Sequence, residues 1–341
     1  MRICQIVCGS QYGGLEKHTI ELSHELHKLG VDITVIAHSN FASDFENIHF
    51  IPLDLNKGRN NLFILFKLYM ILKNGQFDIV HTQANKATSM VVKLKPFLSA
   101  KIVSTLHSYK KNLRPFYYSD FVITVSDKIG EKLHIPNKIT VYNGIRWDKK
   151  ENVQIDLHKK YEIDQHKFII CSVARLTKVK RFDILLNALQ GLEDVHLLLV
   201  GGGEEDQYLK KLSETIDVKK DVTFTGNLDN MQVRQIVSSS KLFVMTSDKE
   251  GFPYTFIEAM FCATPFLSTP VSDIEKIIGQ KYIVPFDDPK KVSTQIHFIK
   301  NNYEEVLKDY QNVFTFSETK FRLENMTKET LAVYTQVLLN V

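Results

Sequence analysis

The stretch Glu250-Gly-Phe-Pro-Tyr-Thr-Phe-Ile-Glu258 marks the entry into a helix in this chain of 341 residues. It holds two carboxylates eight residues apart, and an apolar helical pattern follows them. Pro253 has no N–H to donate and suits the first turn of a helix. The segment therefore predicts Glu250 in a loop and Glu258 about one turn into the helix that follows.

The beginning of this helix is a candidate anion site. The N–H groups of Tyr254, Thr255 and Phe256 would lack partners within the first helical turn, and a helix N-terminus attracts anions. An anion held between two carboxylates that accept hydrogen bonds from hydroxyl groups describes a nucleotide sugar. Its diphosphate would lie at the helix end, and its ribose and sugar hydroxyls would lie at the two acids.

The composition is that of a globular chain long enough for two domains. Hydrophobic residues make up 44% and charged residues 24% of the sequence. No apolar run approaches the ~20 residues that span a bilayer, and residues 1–9 predict a buried first strand rather than a signal peptide. The cysteines lie in apolar runs without metal-ligand spacing, which predicts buried free thiols in a reducing, cytoplasmic compartment. They are Cys4, Cys8, Cys171 and Cys262.

Charge is distributed unevenly along the chain. The net charge is +4, yet residues 1–150 hold 20 Lys or Arg against 12 Asp or Glu. A basic half favours attraction to an anionic membrane or an anionic acceptor, while ordinary solvation is the alternative. The basic residues cluster between residues 93 and 114, which favours peripheral contact with a membrane. No nucleic-acid partner is expected.

Short apolar runs alternate with amphipathic segments, the pattern of parallel sheets covered by helices. The runs extend from Ile3–Val7 to Ile139–Tyr142. After a polar stretch at 147–165, interpreted as a linker, they continue from Phe168–Ala174 to Tyr282–Pro285. The pattern predicts two Rossmann-like, doubly wound α/β domains facing each other across a cleft, with ligands at the carboxyl ends of the strands. The predicted segments are a first domain at 1–150, a second at 151–320 and a C-terminal helix at 321–341 that packs back on the first.

Glycines follow several predicted strands. Gly9-Ser-Gln-Tyr-Gly13-Gly14 lies between the first strand and the first helix, where backbone could approach a phosphate, although a tight structural turn explains it equally well. No acid closes the second strand, which argues against a dinucleotide site. Gly201-Gly-Gly203 and Phe224-Thr-Gly226 end two later strands and would permit close approach of a base or a phosphate.

Two basic residues follow the first strand of the second half. Arg175 and Lys180 lie five residues apart in Ser172-Val-Ala-Arg-Leu-Thr-Lys-Val-Lys-Arg181. Both could reach one diphosphate, because Arg offers a forked set of donors and Lys a mobile point charge. A solvated basic turn is the alternative.

Taken together, these motifs resemble the family-four glycosyltransferases with the GT-B fold. Glu250–Glu258, continued by Ala-Met-Phe-Cys-Ala-Thr-Pro265, is similar to their donor-binding signature, and Gly13-Gly-Leu-Glu-Lys-His18 is similar to their opening loop. The resemblance covers nearly the whole chain. It implies a retaining, metal-independent transferase without a cofactor. Its expected partners are a nucleotide-sugar donor, UDP-linked with a hexose or N-acetylhexosamine, and a glycan or lipid-linked acceptor in cell-surface polysaccharide synthesis.

The resemblance also implies roles for single residues. Arg175 and Lys180 would bind the diphosphate, Glu258 the ribose and Glu250 the transferred sugar, while His107 would support that sugar on its reacting face. Further donor contacts are implied for Gly13, Gly14, Gly202, Asn227, Leu228, Phe252, Tyr254 and Thr255. Acceptor-side contacts are implied for Glu16, His18, Ser126 and Asn143. The family commonly has Gly where Arg181 stands, which is a departure.

Two rival functions and one ambiguous helix stay open at this stage. A non-hydrolysing nucleotide-sugar epimerase would share the architecture and would consume donor without acceptor. A non-catalytic sugar-nucleotide-binding partner of another transferase would bind donor without turnover.

The helix predicted at Asn61–Lys73 is apolar over more than one face, which favours core burial over shallow insertion into a membrane surface.

Overall fold

The computed structural model describes residues 1–339, apart from the side chain of Glu151, and divides them into two compact units. Unit 1 comprises Met1–Arg146 and the C-terminal segment from Phe321, and unit 2 comprises Trp147–Lys320. Residues 340 and 341, the last two of the predicted C-terminal helix, lie outside the described residues. Each unit contains one parallel sheet, which confirms the predicted pair of Rossmann-like α/β domains.

Strands and helices alternate along both units, as the apolar periodicity predicts. The strands are β1 (Arg2–Val7), β2 (Asp32–Ala37), β3 (His49–Pro52), β4 (Ile79–Gln83), β5 (Lys101–Leu106), β6 (Phe121–Thr124), β7 (Lys138–Thr140), β8 (Phe168–Val173), β9 (Val195–Val200), β10 (Val222–Gly226), β11 (Leu242–Met245) and β12 (Phe266–Ser268). The helices are α1 (Gly14–Lys28), α2 (Leu62–Gly75), α3 (Ala84–Val91), α4 (Asp127–Gly130), α5 (Leu157–Tyr161), α6 (Phe182–Ala188), α7 (Asp206–Thr215), α8 (Asn230–Ser239), α9 (Tyr254–Phe261), α10 (Ile274–Ile278), α11 (Pro289–Asn301), α12 (Tyr303–Lys320) and α13 (Leu323–Leu339).

The sheet of unit 1 has the order β3-β2-β1-β4-β5-β6-β7. In β1, Ile3 lies between Ile33 of β2 and Ile79 of β4. Successive side chains point to opposite faces of a sheet. Ile3 accordingly packs in a core with α1 and α13, whereas Cys4 packs in a second core with α2 and α3. Covering both faces explains why the strands are apolar along their whole length.

The C-terminal helix α13 packs against α1 in unit 1. The chain reaches it through paired backbone groups, with the N–H of Ile145 3.0 Å from Phe321 O and the N–H of Leu323 3.0 Å from Ile145 O. A Cβ at Gly144 would lie 2.5 Å from the carbonyl oxygen of Arg322. This close backbone approach requires glycine at position 144, because any side chain there would collide with the segment that leads into α13.

The sheet of unit 2 has the order β10-β9-β8-β11-β12. Aromatic rings fill its core beside β11 and β12, where Phe243 stacks on Phe266 with centroids 4.8 Å apart. Phe256 of α9 meets Phe266 edge to face at 5.1 Å. The packing anchors α9, the helix that carries Glu258, to the sheet.

Some predicted elements differ from the structure. The stretch 147–165 is not a free linker, because Trp147 is buried against Phe261 and its ring lies under the guanidinium of Arg234. Residues 282–285 form no named strand; Ile283 makes a single parallel bridge to Ser268. The burial of Trp147 and the bridge made by Ile283 both depend on residues far away in the sequence. The local pattern of apolar residues therefore could not predict them. The four cysteines are free thiols, and Cys8 is only partly buried.

Two leucines of α13 provide a matched test of its docking. Leu323 is fully buried in the core of unit 1, whereas Leu339 is 78% exposed in the same helix. Leu323→Ala should lower the free energy of unfolding by ~2–5 kcal/mol, because it removes buried methyl groups and leaves a cavity. Leu339→Ala should change it by less than about 0.5 kcal/mol. Urea unfolding measures both, and equal effects would contradict the docking of α13.

Candidate functional site

In each unit the strand order reverses once, between β1 and β4 in unit 1 and between β8 and β11 in unit 2. Loops at the carboxyl ends of two such strands run to opposite sides and leave a crevice where ligands bind in open α/β sheets. The candidate residues Arg175, Lys180 and Glu250 lie in the loops after β8 and β11. Sequence motifs and topology therefore point to the same edge of the sheet in unit 2.

An ion pair joins these two loops. Lys180 Nζ donates to Glu250 Oε1 over 2.6 Å, and both side chains are largely buried. Backbone and hydroxyl contacts reinforce the junction, because Asp248 N–H donates to Val179 O over 2.9 Å and Thr246 Oγ1 donates to Arg181 O over 2.9 Å. The structure thus brings together two residues that are 70 positions apart and that belong to different motifs.

Arg181, which departs from the family pattern, ties several carboxylates together. Its backbone is left-handed, with φ of 52°. Its guanidinium forms a two-pronged contact with Asp183 at 3.1 Å and also contacts Asp248 and Asp287. The hydrogen bonds to Asp183 are the main cause that raises the pKa of Arg181 above its usual value. Arg181 is therefore a structural clamp on the loops beside Lys180, and its charge is already compensated.

Arg175 follows β8 and is exposed. The residues on either side of it are fixed by backbone hydrogen bonds, from Ala174 N–H to Val200 O at 3.1 Å and from Leu176 N–H to Gly202 O at 3.0 Å. The loop therefore holds the backbone of Arg175 in place at an exposed position.

The glycines after β9 have a structural explanation. A Cβ at Gly201 would lie 2.0 Å from Ala174 O, and one at Gly203 would lie 2.3 Å from Leu176 O. The missing side chains make room for the loop that carries Arg175, and close approach of a base or phosphate at these glycines stays a prediction. At Gly202 a Cβ would meet the side chain of Asn227 at 3.0 Å.

The residues after β10 lie beside these glycines. Asn227 is exposed and Leu228 partly buried. Gly226 O accepts from Gly201 N–H over 2.9 Å, and Gly226 has a positive φ of 70° that favours glycine. The two candidate donor contacts, Asn227 and Leu228, thus follow a turn that is tied to the loop after β9.

Helix α9 begins at Tyr254 with Pro253 in the N-cap position, and Glu258 lies on its second turn. The prediction of three unpaired N–H groups is wrong for one of them. Phe256 N–H donates to Pro253 O over 3.2 Å, because the first turn tightens. Phe256 is therefore no longer a candidate backbone donor, and the roles of Tyr254 and Thr255 at the helix start stay predictions. The ring of Phe252 is buried edge to face against Phe256, so it supports the turn from the inside.

In unit 1, the glycine loop after β1 surrounds the side chain of Glu16. A Cβ at Gly9 would lie 2.0 Å from Glu16 Oε1, and one at Gly13 would lie 3.1 Å from Glu16 Oε2. Glu16 is in the first turn of α1, where a carboxylate is favoured by the helix dipole. The carboxylate therefore occupies part of the space beside Gly9 and Gly13, in the loop where the sequence predicted a possible approach of phosphate.

A buried chain of hydrogen bonds leads from α13 to His107, which directly follows β5. His107 Nε2 lies 2.7 Å from Gln83 Oε1, and Gln83 Nε2 donates to Gln5 Oε1 over 2.8 Å. Gln5 Nε2 donates in turn to Tyr334 Oη over 3.1 Å, and that hydroxyl lies 2.6 Å from His81 Nδ1. Because Gln83 Oε1 can only accept, His107 carries its proton on Nε2 and presents Nδ1 as an acceptor.

Three histidines of unit 1 are held neutral by burial. Burial lowers the pKa of His18 to about 4 and that of His81 to about 3. Burial, followed by the proximity of these two rings, lowers the pKa of His107 well below its usual value. His18 meets His107 edge to face with centroids 4.6 Å apart. The cluster therefore offers neutral imidazole nitrogens rather than positive charge.

The remaining acceptor-side candidates are mostly inside unit 1. Asn143 is buried, and its Oδ1 lies 3.2 Å from His18 Nδ1. Ser126 is fully buried and caps α4, with its Oγ accepting from Ile129 N–H over 3.4 Å. Asn143 orients a histidine, whereas the hydroxyl of Ser126 is committed to a helix cap.

Gln5, Gln83 and Tyr334 were not among the residues predicted from the sequence. A polar residue in the middle of the apolar strand β1 and a second at the end of β4 were the available signals. Polar groups that are fully buried require partners, so Gln5 alone predicts a network. Its members could not be named, because Tyr334 is 329 residues away in sequence.

Among the side chains that the structure describes in residues 1–339, no three His, Cys, Asp or Glu form a group that could hold a metal ion. No helix in the same range combines the length and the hydropathy needed to cross a bilayer.

Two Rossmann-like units, each with candidate residues at the carboxyl ends of its strands, define the class of GT-B proteins. Residues 12–147 match the family described as Glycosyltransferase Family 4. Residues 153–313 match the family described as Glycosyl transferases group 1. The two matches together cover most of the chain, and the protein belongs to the family-four glycosyltransferases.

Curated relatives support the same family. The chain is 28% identical over 308 residues to N-acetyl-alpha-D-glucosaminyl L-malate synthase of Bacillus anthracis, covering 80% of each chain. It is 24% identical over 283 residues to the O-antigen biosynthesis glycosyltransferase WclY of Escherichia coli, covering 74% of this chain and 79% of the relative.

Solved structures share the fold. A glycosyltransferase from Rickettsia africae superposes with a TM-score of 0.86 at 20% identity, covering 100% of this chain and 99% of the other. Anabaena Alr3699/HepE, crystallised in complex with UDP and glucose, superposes with a TM-score of 0.83 at 16% identity, covering 98% and 100%. At these identities the likeness establishes the GT-B fold.

Acid should destabilise unit 1 through His18. Its folded pKa of about 4 lies below its ordinary 6.5, so the unfolded chain binds more protons between these values. Stability is therefore complete above about pH 6.5 and falls as the pH is lowered towards 4. His18→Gln removes this titration, and its free energy of unfolding should fall less steeply over the interval.

Urea titrations across this pH range measure the slopes. His297→Gln, at an exposed position of unit 2, is the control. Equal slopes for His18→Gln and the unsubstituted protein would show that His18 is not held neutral by the fold.

Proposed function

We propose that this glycosyltransferase moves a hexose or N-acetylhexosamine from a UDP-linked donor to a glycan or lipid-linked acceptor, with retention of configuration and without a metal ion. Its setting would be cell-surface polysaccharide synthesis at the cytoplasmic face of the membrane. One observation carries the donor site. Lys180 Nζ and Glu250 Oε1 meet at 2.6 Å where the strand order of unit 2 reverses.

The leaving diphosphate is the group that most needs stabilisation, because negative charge develops on it as the sugar departs. Arg175 supplies a fork of donors that fits phosphate oxygens, and Lys180 supplies a point charge. Donors fixed in advance at such a position lower the barrier to reaction. Two cations can serve this role without a metal ion, which is the basis for proposing metal independence.

The carboxylates of this loop and helix fit the sugar parts of the donor. Glu258 on α9 binds the ribose hydroxyls, while Tyr254 and Thr255 offer backbone N–H groups at the start of the same helix. Glu250 is oriented by Lys180 and accepts hydrogen bonds from the hydroxyls of the transferred sugar. Phe252 supports the turn, and the residues around Gly202 and Asn227 take the base.

The role of unit 1 rests on its neutral histidines. His107 presents Nδ1 as an acceptor, which suits a hydrogen bond from a sugar hydroxyl on the reacting face. Glu16 and His18 lie on α1, the helix that follows the glycine loop. The side chain of Asn143 contacts the ring of His18 and holds it in place. In this proposal the acceptor oxygen bonds to the sugar carbon on the face from which the diphosphate leaves, and the departing phosphate takes the proton of the acceptor hydroxyl. No side chain then needs to act as nucleophile or as base.

The relatives guide the choice of substrate. The Anabaena neighbour was crystallised with UDP and glucose, and the Bacillus relative is named for an N-acetylglucosaminyl product. WclY is named for O-antigen biosynthesis. These names favour a UDP donor, a hexose or N-acetylhexosamine, and a surface-glycan acceptor for this chain.

The cations should govern turnover. Arg175→Ala and Lys180→Ala should each lower kcat by ~10²-fold or more, because each removes a partner of the leaving diphosphate. Lys178→Ala, at an exposed position in the same turn, is the matched control and should retain activity. Donor consumption and product are measured with purified proteins. Unchanged turnover in Arg175→Ala would remove it from the site.

Donor identity can be found without knowing the acceptor. Thermal shifts with UDP, GDP, ADP and their sugars, with and without EDTA, should show stabilisation by the UDP series alone and no effect of EDTA. Binding to the native state raises its stability by mass action, and Glu258→Ala should weaken the effect. No shift with any nucleotide would contradict the donor site. Donor consumed without any acceptor would instead indicate an epimerase, and binding without turnover a non-catalytic partner.

A further inference from the structure

Helix α2 is apolar on two faces, and only one of them is buried. The buried face consists of Ile64, Leu65, Leu68 and Leu72. The other carries exposed side chains at helical spacing, with exposed fractions of 80% for Leu62, 64% for Phe63, 61% for Phe66 and 39% for Met70. The prediction of core burial is therefore correct for half of the helix and wrong for the other half. Exposing four large apolar side chains in one stripe marks an interaction surface.

The apolar stripe continues onto the neighbouring segment. Phe97 is 66% exposed, and its ring meets that of Tyr69 on α2 edge to face, with centroids 6.1 Å apart. Two residues before Phe97, Lys95 donates to Tyr118 O over 2.9 Å, and the rings of Tyr117 and Tyr118 are exposed. We call Leu62, Phe63, Phe66, Met70 and Phe97 the α2 surface.

The segment that carries the α2 surface is rich in positive charge. Residues 55–119 contain a single acid, Asp78, whose carboxylate accepts from Arg2 N–H over 2.7 Å. The same residues contain eleven bases, none of them buried: Lys57, Arg59, Lys67, Lys73, Lys86, Lys93, Lys95, Lys101, Lys110, Lys111 and Arg114. The whole chain has a net charge of only +4, so positive charge is concentrated in this segment. Of these bases, Lys95 is paired with Asp120, which lies just beyond the segment.

Individual contacts join the bases to the stripe. Lys67 Nζ lies 4.5 Å from the centroid of the Phe63 ring, and Lys73 Nζ lies 5.4 Å from that of Tyr69. Lys93 donates to the carbonyl of Arg59 over 2.8 Å, which places it beside the loop that leads into α2. Bases and apolar side chains therefore share one surface of unit 1.

An anionic bilayer fits this combination better than the other candidates. A second copy of the chain would bring two strongly positive surfaces together, which is repulsive. A nucleic acid would pair with the bases but would leave Leu62 and Met70 without apolar partners. A helix whose outer face is apolar and whose borders are basic lies in the lipid interface, with its apolar side chains among the acyl chains and its bases at the headgroups.

We propose that the α2 surface binds an anionic lipid bilayer, with α2 lying along the interface and Leu62, Phe63 and Phe66 inserted. The proposal deepens the proposed function, since its biological sense rests on an acceptor at the membrane, but it is tested without donor or acceptor. Phosphatidylglycerol is a suitable test lipid, because its anionic phosphate headgroup can pair with the Lys and Arg side chains.

Co-sedimentation with vesicles of phosphatidylcholine, with and without phosphatidylglycerol, measures binding by the full chain. The unsubstituted protein should bind only the anionic vesicles, and high salt should weaken binding. Leu62→Ser/Phe63→Ser/Phe66→Ser should lower the partition coefficient about tenfold or more, because the apolar anchors are lost. Tyr208→Ser/Met231→Ser, which removes exposed apolar side chains from unit 2, is the matched control and should bind as before.

Three results would overturn the proposal: no binding to anionic vesicles, equal binding by the triple variant, or binding that salt and lipid charge do not change. Light scattering without lipid gives a fourth such result. If the unsubstituted protein is a dimer and the triple variant is a monomer, the α2 surface is a contact between copies instead. Nucleotide-induced thermal shifts of the same proteins measure the donor site separately. A failure of membrane binding can therefore be distinguished from a failure of the proposed donor site.

Discussion

The proposed donor site depends on the ion pair between Lys180 and Glu250. The pair closes the gap between the loops after β8 and β11, at the point where the strand order of unit 2 reverses. Both partners are largely buried, so removing either would leave a poorly solvated charge behind. Arg181 stiffens the same junction through its carboxylate partners. A residue that looked like a departure from the family pattern therefore holds the loops on which the pattern's own residues lie. The roles proposed for Lys180 and Glu250 are coupled, since each orients the other.

The sequence predicts the parts of this site that depend on local order. Apolar runs locate the strands, and Pro253 locates the start of α9, so Glu250 and Glu258 fall where the pattern placed them. It does not predict which groups meet across the sheet. Gly201 and Gly203 looked like ligand glycines, yet their missing side chains accommodate the backbone of the neighbouring loop. The N–H of Phe256 was predicted to be unpaired, yet it donates to the carbonyl oxygen of Pro253 within the first helical turn. Such outcomes depend on distances of a few tenths of an ångström between segments far apart in sequence, which no spacing rule encodes.

Unit 1 separates its polar groups into a neutral interior and a positive exterior. Inside, Gln5, Gln83 and Tyr334 connect α13 to His107, and burial keeps the histidines uncharged. Outside, the α2 surface lies in the base-rich segment 55–119, and Lys67 and Lys93 contact residues of α2 or of the loop before it. The neutral interior suits hydrogen bonding to sugar hydroxyls, while the exterior suits anionic headgroups. The C-terminal helix contributes the hydroxyl of Tyr334 to this interior, while its buried apolar side chains, Leu323 and Val333 among them, pack in the core of unit 1.

A crystal structure of the protein with UDP bound tests the central claim most directly, because it reports the donor site without an acceptor or an assay. The account predicts diphosphate oxygens within hydrogen-bond distance of Arg175 and Lys180, and ribose hydroxyls at Glu258 on α9. UDP bound elsewhere, for example at the glycine loop that holds Glu16 in unit 1, would contradict it.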